Sequence, residues 1–400
     1  MNAISLEAFW KGFHVSRFEV LSDTERLVIL EPVPDEFPRC AQCGEACGLV
    51  HERTVRRIRE RDLLDQRLWL EVPLRRVECL RCGRGMERVE WLAPRRRLTR
   101  RMEAWLEALV QLLPIAHVSR LTGVHWSTIK DIDRRRLEAA HGGFDATGVR
   151  RLLMDEFALH TGHRYATVVT DADSLRVLWV GEGRSREAVR PFFELLGPQC
   201  AHIEAVAMDM NSAFDLEVRA HCPQAEVVYD LFHVVAKFGR EVVDRVRVDH
   251  ANALRHDKPA RKVVKRSRWL LLLRNRGNLN DEQIIKLDEL LAANLPLATV
   301  YLLKTSLKEL WYAPTAWSAF KRWRTWYRLC LESGLAPAIQ FAKRLKGYLR
   351  GIFASARFRL NTSVLEGINN RIKVIKRMAY GYRDSTYFFL KIKAAFPGKA

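Results

Sequence analysis

Three acidic residues stand where their types and surroundings point to metal-assisted phosphate chemistry. Asp155 lies inside the apolar run Leu152-Leu-Met-Asp-Glu-Phe-Ala-Leu, and Asp209 ends Val206-Ala-Met-Asp. An ionised carboxylate among apolar neighbours is costly unless a partner or a cation compensates it. Glu366 falls on a C-terminal helical stretch whose apolar stripe is Leu365, Ile368, Ile372 and Ile375. On the neighbouring face, Glu366, Asn370, Lys373 and Arg377 follow at steps of four, three and four, so one surface carries an acid, an amide and two cations. Hard oxygen ligands suit Mg²⁺ or Mn²⁺. Two such ions in one site, held by Asp155, Asp209 and Glu366, would activate an oxygen nucleophile, neutralise the phosphorane and assist the leaving 3′ oxygen. Taken singly, each aspartate reads more readily as a capping or ion-paired residue, and Glu366 as part of a solvated charged face.

The cysteines form a second constellation. Cys40 and Cys43 are separated by two residues, and Cys79 and Cys82 repeat that spacing, with Gly44 and Gly83 following each pair. Four thiolates on two tight turns are the ligand set of tetrahedral zinc, and a closed four-thiolate site is structural rather than catalytic. Cys47 and His51 follow at helical spacing and offer an alternative ligand. In a reducing compartment such crowding favours metal over disulfides.

The elements that must position these groups change period along the chain. Residues 1–36 form an N-terminal segment, and 37–92 a zinc-binding module with a strand at Leu68-Trp-Leu-Glu-Val-Pro-Leu. A linker is expected at 93–101, within a helical region 93–145. There, Ile115 to Ile132 reads as a helix-turn-helix, with Val118, Val124, Ile129 and Ile132 facing inward and Gly123 in the turn. That spacing presents His125, Trp126, Ser127, Thr128 and Lys130 at the start of the second helix to a DNA groove, with Arg134 just beyond.

From residue 150 to 249 the expected order is three strands, helix, strand, helix, strand, helix, the first three strands in an antiparallel meander. Residues 250–360 read as all helix, and 361–400 carry the last helix, with Asn361 or Thr362 as its N-cap. Trp311, Trp317, Trp323 and Trp326 make an aromatic stripe in the helical stretch, expected mostly in its core.

The chain has 400 residues, 67 Lys and Arg against 47 Asp and Glu, and a formal charge of +20, a field that attracts polyanions. No apolar run approaches the ~18 residues needed to span a bilayer. The start MNAISLEAFWKGF lacks the order of a signal peptide. The expectation is a cytoplasmic protein that partners nucleic acid rather than membrane.

Several motifs taken together resemble the ISL-three family of bacterial insertion-sequence transposases. They are Leu153-Met-Asp-Glu-Phe-Ala-Leu with Gly162-His-Arg-Tyr-Ala-Thr, Met208-Asp-Met, Tyr229-Asp-Leu-Phe-His-Val, and Asn361-Thr-Ser-Val-Leu-Glu-Gly-Ile-Asn-Asn-Arg-Ile-Lys-Val-Ile-Lys-Arg-Met-Ala-Tyr-Gly-Tyr-Arg. The resemblance covers nearly the whole chain. It implies an α/β RNase H-like catalytic core with a helical insertion, in which the first and fourth strands lie side by side, preceded by the zinc module and helix-turn-helix. It also implies Asp155, Asp209 and Glu366 as the metal-binding triad, and an Asp-x2-His signature, Asp230 and His233, that helps shape the site. Lys373 and Arg377 are expected on the DNA backbone.

The activity implied is binding of terminal inverted repeats, then metal-dependent cleavage and strand transfer into target DNA. The enzyme would work as a homo-oligomer on DNA, in the bacterial cytoplasm at the nucleoid. An inactive, sequence-specific DNA-binding regulator is the alternative, although acids at all three positions argue against it. A stand-alone nuclease on RNA–DNA hybrids or branched DNA would leave the two N-terminal modules without a purpose.

Overall fold

The computed structural model describes residues 9–93, 95–160, 164–272, 276–360 and 363–399. The chain divides into two compact units, Met1–Leu137 and Glu138–Ala400.

The first unit is built on a mixed sheet of β1 (Phe13–Ser22), β2 (Glu25–Pro32), β3 (Leu49–Arg59), β4 (Arg67–Cys79) and β5 (Gly83–Met86), in the order β1-β2-β4-β3 with β5 added to β4. Central β4 explains the arrangement. Its Leu68, Leu70, Val72 and Leu74 recur at every second residue and are all buried, packing with Trp10, Val28, Leu30, Ile58 and Trp91. The strand expected at residues 68–74 is therefore the middle of a longer one. The sheet also takes in β1 and β2, from the segment set apart as 1–36, because the apolar run Leu27-Val-Ile-Leu pairs in parallel with β4.

The stretch expected to act as a linker is held down. Arg59 and Leu98 form a β-bridge, and buried Glu60 accepts hydrogen bonds from Trp10 Nε1 at 3.1 Å, Thr99 Oγ1 at 2.8 Å and Arg101 Nη2 at 2.8 Å. These donors, with the Arg61 N–H at 2.9 Å, compensate a carboxylate that would otherwise be expensive to bury. Thr99 caps α1 (Arg100–Leu112), which is followed by α2 (Ile115–Thr122) and α3 (Trp126–His141). Met102, Leu106, Val118, Val124, Ile129 and Ile132 close a small helical core.

The second unit contains the sheet β10-β9-β6-β7-β8, formed by β6 (Arg151–His160), β7 (Arg164–Asp171), β8 (Val177–Glu182), β9 (Ala205–Met208) and β10 (Glu226–Tyr229). β6, β7 and β8 are an antiparallel meander, while β6 pairs in parallel with β9 and β9 with β10. The first and fourth strands of this unit are thus neighbours, as expected.

Helices α4 (Arg186–Leu196) and α5 (Ser212–His221) cover one face. Val189, Phe192, Phe193, Phe214 and Val218 pack there on Leu152, Met154, Val206 and Met208. α6 (Leu231–Phe238) leads through a π-helical turn at Gly239–Val243 into an all-helical region. It comprises α7 (Asp244–Ala253), α8 (Lys258–Arg266), α9 (Arg268–Leu272), α10 (Asp281–Ala293), α11 (Leu295–Lys308), α12 (Ala316–Glu332), α13 (Ala336–Leu345) and α14 (Leu349–Phe358). This region has its own core, which contains Phe238, Leu297, Val300, Leu307, Trp323 and Trp326.

Finally, α15 (Ser363–Met378) and α16 (Ser385–Ala395) pack on the other sheet face. Leu365 joins Leu153, Ala207 and Val228, while Ile368, Ile372 and Phe388 join Phe157 and Val168. The expected stripe is the one buried, with Ile375 at its partly buried end. The N-cap expected at Asn361 or Thr362, and Gly162 and His163 of the quoted motif, lie outside the described residues. Among the described residues no single helix is long and apolar enough to cross a membrane; α10 with α11 passes only as a pair bent by 119°.

Candidate functional site

Strand register decides which acids meet. β6 and β9 pair through Leu152↔Val206 and Leu153↔Ala207, and β9 and β10 through Ala207↔Val228 and Met208↔Tyr229. Leu153, Ala207 and Val228 share one face of the sheet. Two residues further along each strand direction come Asp155, Asp209 and Asp230, which period-2 alternation returns to that same face. Three carboxylates thereby converge, Asp155 in mid-β6 just past its parallel pairing with β9, and Asp209 and Asp230 one residue beyond the C-terminal ends of β9 and β10.

Each acid is held differently. Asp155 is 6% exposed. Its Oδ1 accepts the Glu156 N–H at 2.8 Å, and its Oδ2 accepts Asn369 Nδ2–H from α15 at 2.7 Å. Asp230 caps α6, accepting the Phe232 N–H at 2.8 Å, and its other oxygen lies 2.9 Å from His233 Nδ1. Asp209 has a buried Oδ1 with no hydrogen-bond partner.

The electrostatics follow from burial and crowding. Burial, reinforced by the Asp209 and Asp230 charges, pushes the Asp155 carboxyl up to about 6. Asp209 is raised as well, first by burial and then by the Glu156 and Asp230 charges. The Asp230 hydrogen bond, with the Asp155 and Asp209 charges behind it, raises His233 to about 9, so its imidazolium stands among the three acids. A site that lifts its own carboxylates and leaves a buried oxygen unpartnered is short of positive charge, which fits oxygen ligands for a divalent cation.

Glu366 is placed differently from the two aspartates. It is exposed in the first turn of α15, one turn before Asn369, and no hydrogen bond among the described residues joins it to Asp155 or Asp209. Lys373 and Arg377 are exposed further along that helix, Lys373 within 3.4 Å of Asn370 Oδ1. Of the aromatic stripe, Trp323 and Trp326 are core residues, and Trp311 donates from Nε1 to the Tyr229 carbonyl at 2.9 Å. Trp317 is 64% exposed and stacks on Phe320.

In the first unit, the sulfurs of Cys40, Cys43, Cys79 and Cys82 all lie within 4.8 Å of one another. This is the metal-ligand cluster found among the described residues. The backbone N–H of Gln42 points at Cys40 Sγ at 3.4 Å, and amides of Cys43 and Gln42 lower the Cys40 thiol. Amides of Arg81 and Cys82 likewise bring Cys79 down to about 7. Amides aimed at the first sulfur of each pair favour thiolates, which is the form zinc binds. Cys47 instead lies buried beside the cluster with its thiol toward the Glu45 carbonyl, and His51 Nε2 pairs with Glu78 at 2.5 Å.

The helical pair α2–α3 turns at Gly123, whose φ of +70° suits glycine, and Ser119 Oγ donates to the Val124 carbonyl at 2.7 Å across the turn. His125, Trp126 and Ser127 are exposed at the start of α3, and Thr128, Lys130 and Arg134 are partly exposed.

Comparison with known proteins decides the family. A model described as "Transposase" matches residues 152–392, and one described as "Helix-turn-helix domain of transposase family ISL3" matches 87–137. The chain is 53% identical over 396 residues to the transposase for insertion sequence element IS1001 of Bordetella parapertussis, covering 98% of this chain and 97% of that protein. The chain belongs to the ISL3 family of transposases. This transposase is also 27% identical to the transposase for insertion sequence element IS1557 of Mycobacterium tuberculosis (strain H37Rv), across 86% of this chain and 83% of that one.

Of the other residues of the transposase's carboxylate cluster, Asp230 was named through the resemblance and Asn369 was not singled out. Asp230 entered only as part of the Asp-x2-His signature that the resemblance implies; its position one residue beyond a parallel strand, as Asp209 stands beyond β9, was the signal available in the residues themselves. Asn369 carried no signal, because its role depends on a contact 214 residues away.

Proposed function

We propose that the second unit of this transposase is an RNase H-like catalytic core that cuts the ends of its own element and joins the freed 3′ ends to target DNA. The observation that carries this reading is the convergence on adjacent parallel strands of Asp155, buried in mid-β6, and Asp209, partly buried just beyond β9, both with raised proton affinity and Asp209 with an unpartnered buried oxygen. Asp155, Asp209 and Glu366 are the ligands for two Mg²⁺ or Mn²⁺ ions. When bound, such ions polarise the attacking and leaving oxygens of a phosphodiester. Support for Glu366 is that Leu365, its neighbour, packs on the same sheet face as Leu153 and Ala207.

The chain's own residues do the rest. His233, held by Asp230, supplies positive charge beside the acids. Lys373 and Arg377, exposed on the helix that carries Glu366, bind the DNA backbone. His125, Trp126, Ser127, Thr128, Lys130 and Arg134 of α3 meet the groove of the terminal repeat. Cys40, Cys43, Cys79 and Cys82 hold a structural Zn²⁺ that shapes the first unit. Pairing of two element ends makes the working species at least a dimer on DNA, acting at the bacterial nucleoid.

Incubation of the full chain with DNA carrying the element ends, with Mg²⁺ or with EDTA and beside Asp209→Asn, tests the reading. Metal-dependent cleavage at the ends, absent in the variant, is the expected result. Specific binding with no cleavage under any divalent metal would overturn it in favour of a DNA-binding regulator.

A further inference from the structure

Asn369 lies on the partly buried side of α15, and its amide bridges that helix to β6 at the carboxylate cluster. Its Nδ2 is 2.7 Å from Asp155 Oδ2 and 3.4 Å from the Glu156 carbonyl oxygen. An ionised carboxylate can only accept, so the NH₂ end of the amide must face it. Both amide protons therefore have acceptors at the end of β6.

The consequence for Asp155 is geometric. Its Oδ1 is taken by the Glu156 N–H and its Oδ2 by Asn369, one donor to each oxygen. Its carboxylate plane is thereby fixed while each oxygen keeps a second lone pair, because a carboxylate offers about four acceptor sites. A freely rotating side chain would have to be ordered by the incoming cation, at an entropic cost. Asp209, whose Oδ1 has no partner, shows the contrast.

The second consequence concerns Glu366. It stands three residues before Asn369, and residues at that spacing share one side of a helix. The bond from Asn369 to Asp155 thus ties the azimuth of α15, and with it the direction in which Glu366 projects, to the strand that carries Asp155. Asn369 Oδ1 is itself buried without a hydrogen-bond partner, so packing alone does not account for an amide at this position; Leu would fill a similar volume.

We infer that Asn369 is a positioning residue for divalent-metal binding: it fixes the Asp155 carboxylate from α15 and sets where that helix presents Glu366. The inference rests on the carboxylate site proposed above. Partners that orient metal ligands from behind typically cost about 10–100-fold in metal affinity or activity when removed.

The test uses the full-length protein and Mn²⁺ alone, with affinity measured by calorimetry without DNA. The variants are Asn369→Leu, nearly equal in volume, and Asn369→Ala as a second. Mn²⁺ binding is expected to weaken roughly 10–100-fold in both, with the melting temperature of Asn369→Leu close to wild type. In end-cleavage assays the Mn²⁺ concentration for half-maximal rate should rise by the same factor. Saturating Mn²⁺ should restore kcat in Asn369→Leu but not in Glu366→Gln, a rescue that a merely structural role would not give. Wild-type Mn²⁺ affinity in both Asn369 variants, alongside lost affinity in Asp155→Asn, would overturn the role of Asn369 alone. Unchanged affinity in Asp155→Asn would overturn the carboxylate site and this role with it.

Discussion

Asp230 uses one carboxylate oxygen to cap α6 and the other to hold His233 Nδ1 at 2.9 Å, so a single side chain both starts the helix and orients the imidazole over the acid cluster. The charge state of that imidazole sets a pH dependence. The folded His233 is raised to about 9 against an ordinary value of 6.5. A group whose proton affinity rises on folding adds stability that is complete below its unfolded pKa and is lost as pH climbs through its folded one.

Relative to His233→Gln, metal-free protein should accordingly lose melting temperature from about pH 6.5 to about pH 9, while the Cys79 thiolate, favoured in the fold from about pH 7, adds an opposite slope common to both proteins. Asp155 does not confuse the window. Its folded value is raised from 3.8 to about 6, so its penalty develops as pH rises between those values and is already complete by pH 6.5. Scanning calorimetry in EDTA across both ranges separates the two. A wild-type profile parallel to that of His233→Gln from pH 6.5 to 9 would contradict a charged His233 held beside the acids.

Asp209→Asn should separate stability from chemistry. The carboxylate is raised mainly by burial, and its Oδ1 has no partner, so in the absence of metal its negative charge is a net cost. Removing a partly buried charge that His233 and the Asn211 N–H offset only in part is expected to stabilise the metal-free protein by about 1 kcal/mol, seen as a melting temperature higher by roughly 2–4 °C for a unit of this size. The same change should abolish end cleavage while binding of end DNA persists. A lower melting temperature in EDTA would show that Asp209 is already compensated in the folded chain.

The reading of DNA recognition turns on α3. Trp126 is 55% exposed and touches the preceding His125 ring at a centroid separation of 5.6 Å, whereas Ile129, one turn on, is fully buried. Trp126→Ala should therefore weaken binding to the terminal repeat with stability nearly unchanged. Ile129→Ala should instead cost about 2–5 kcal/mol, through lost packing in the helical core. Gly123→Ala is expected to destabilise the turn by roughly 1 kcal/mol, because a φ of +70° strains any residue with a Cβ. Fluorescence anisotropy on end DNA and thermal melts distinguish these outcomes. Equal affinity for Trp126→Ala across all DNA sequences would remove the start of α3 from the recognition surface.

What was legible in the sequence follows the range of the forces involved. Short-range periodicity gave the order of the strands and helices from β6 to α6, because alternation and helical spacing are imprinted by the local core. The four cysteines were legible because their ligand chemistry constrains spacing. β1 and β2 were not, since Leu27-Val-Ile-Leu gains its meaning only by lying against β4 some forty residues later. The same holds for the pinning of residues 97–101 by Glu60 and for Asn369, whose function depends on a partner in another element. Glu366 was legible as an acid on a polar helix face, yet the direction in which α15 presents it was not, because helix azimuth is a tertiary quantity.

Zinc removal tests the division of labour inside the first unit. The apolar core of Trp10, Leu30, Ile58, Leu70, Val72 and Trp91 is a cluster distinct from the one formed by Cys40, Cys47, Val77 and Cys79 at the far end of β4. Loss of the ion should thus not collapse the whole sheet. In Cys79→Ser, or after chelation, the segments bearing the thiols, about residues 38–50 and 79–87, are expected to lose order, since a structural zinc contributes its binding energy directly to folding where its ligands lie. Around Trp10 and Trp91 the sheet should stay protected, as Glu60 and its three side-chain donors are untouched. Hydrogen exchange read by mass spectrometry resolves the two regions, and native mass spectrometry should give one zinc per chain in the wild type. Uniform protection in Cys79→Ser would show that the four sulfurs need no metal to hold their turns, and a zinc content near zero in the wild type would remove the ion from the fold.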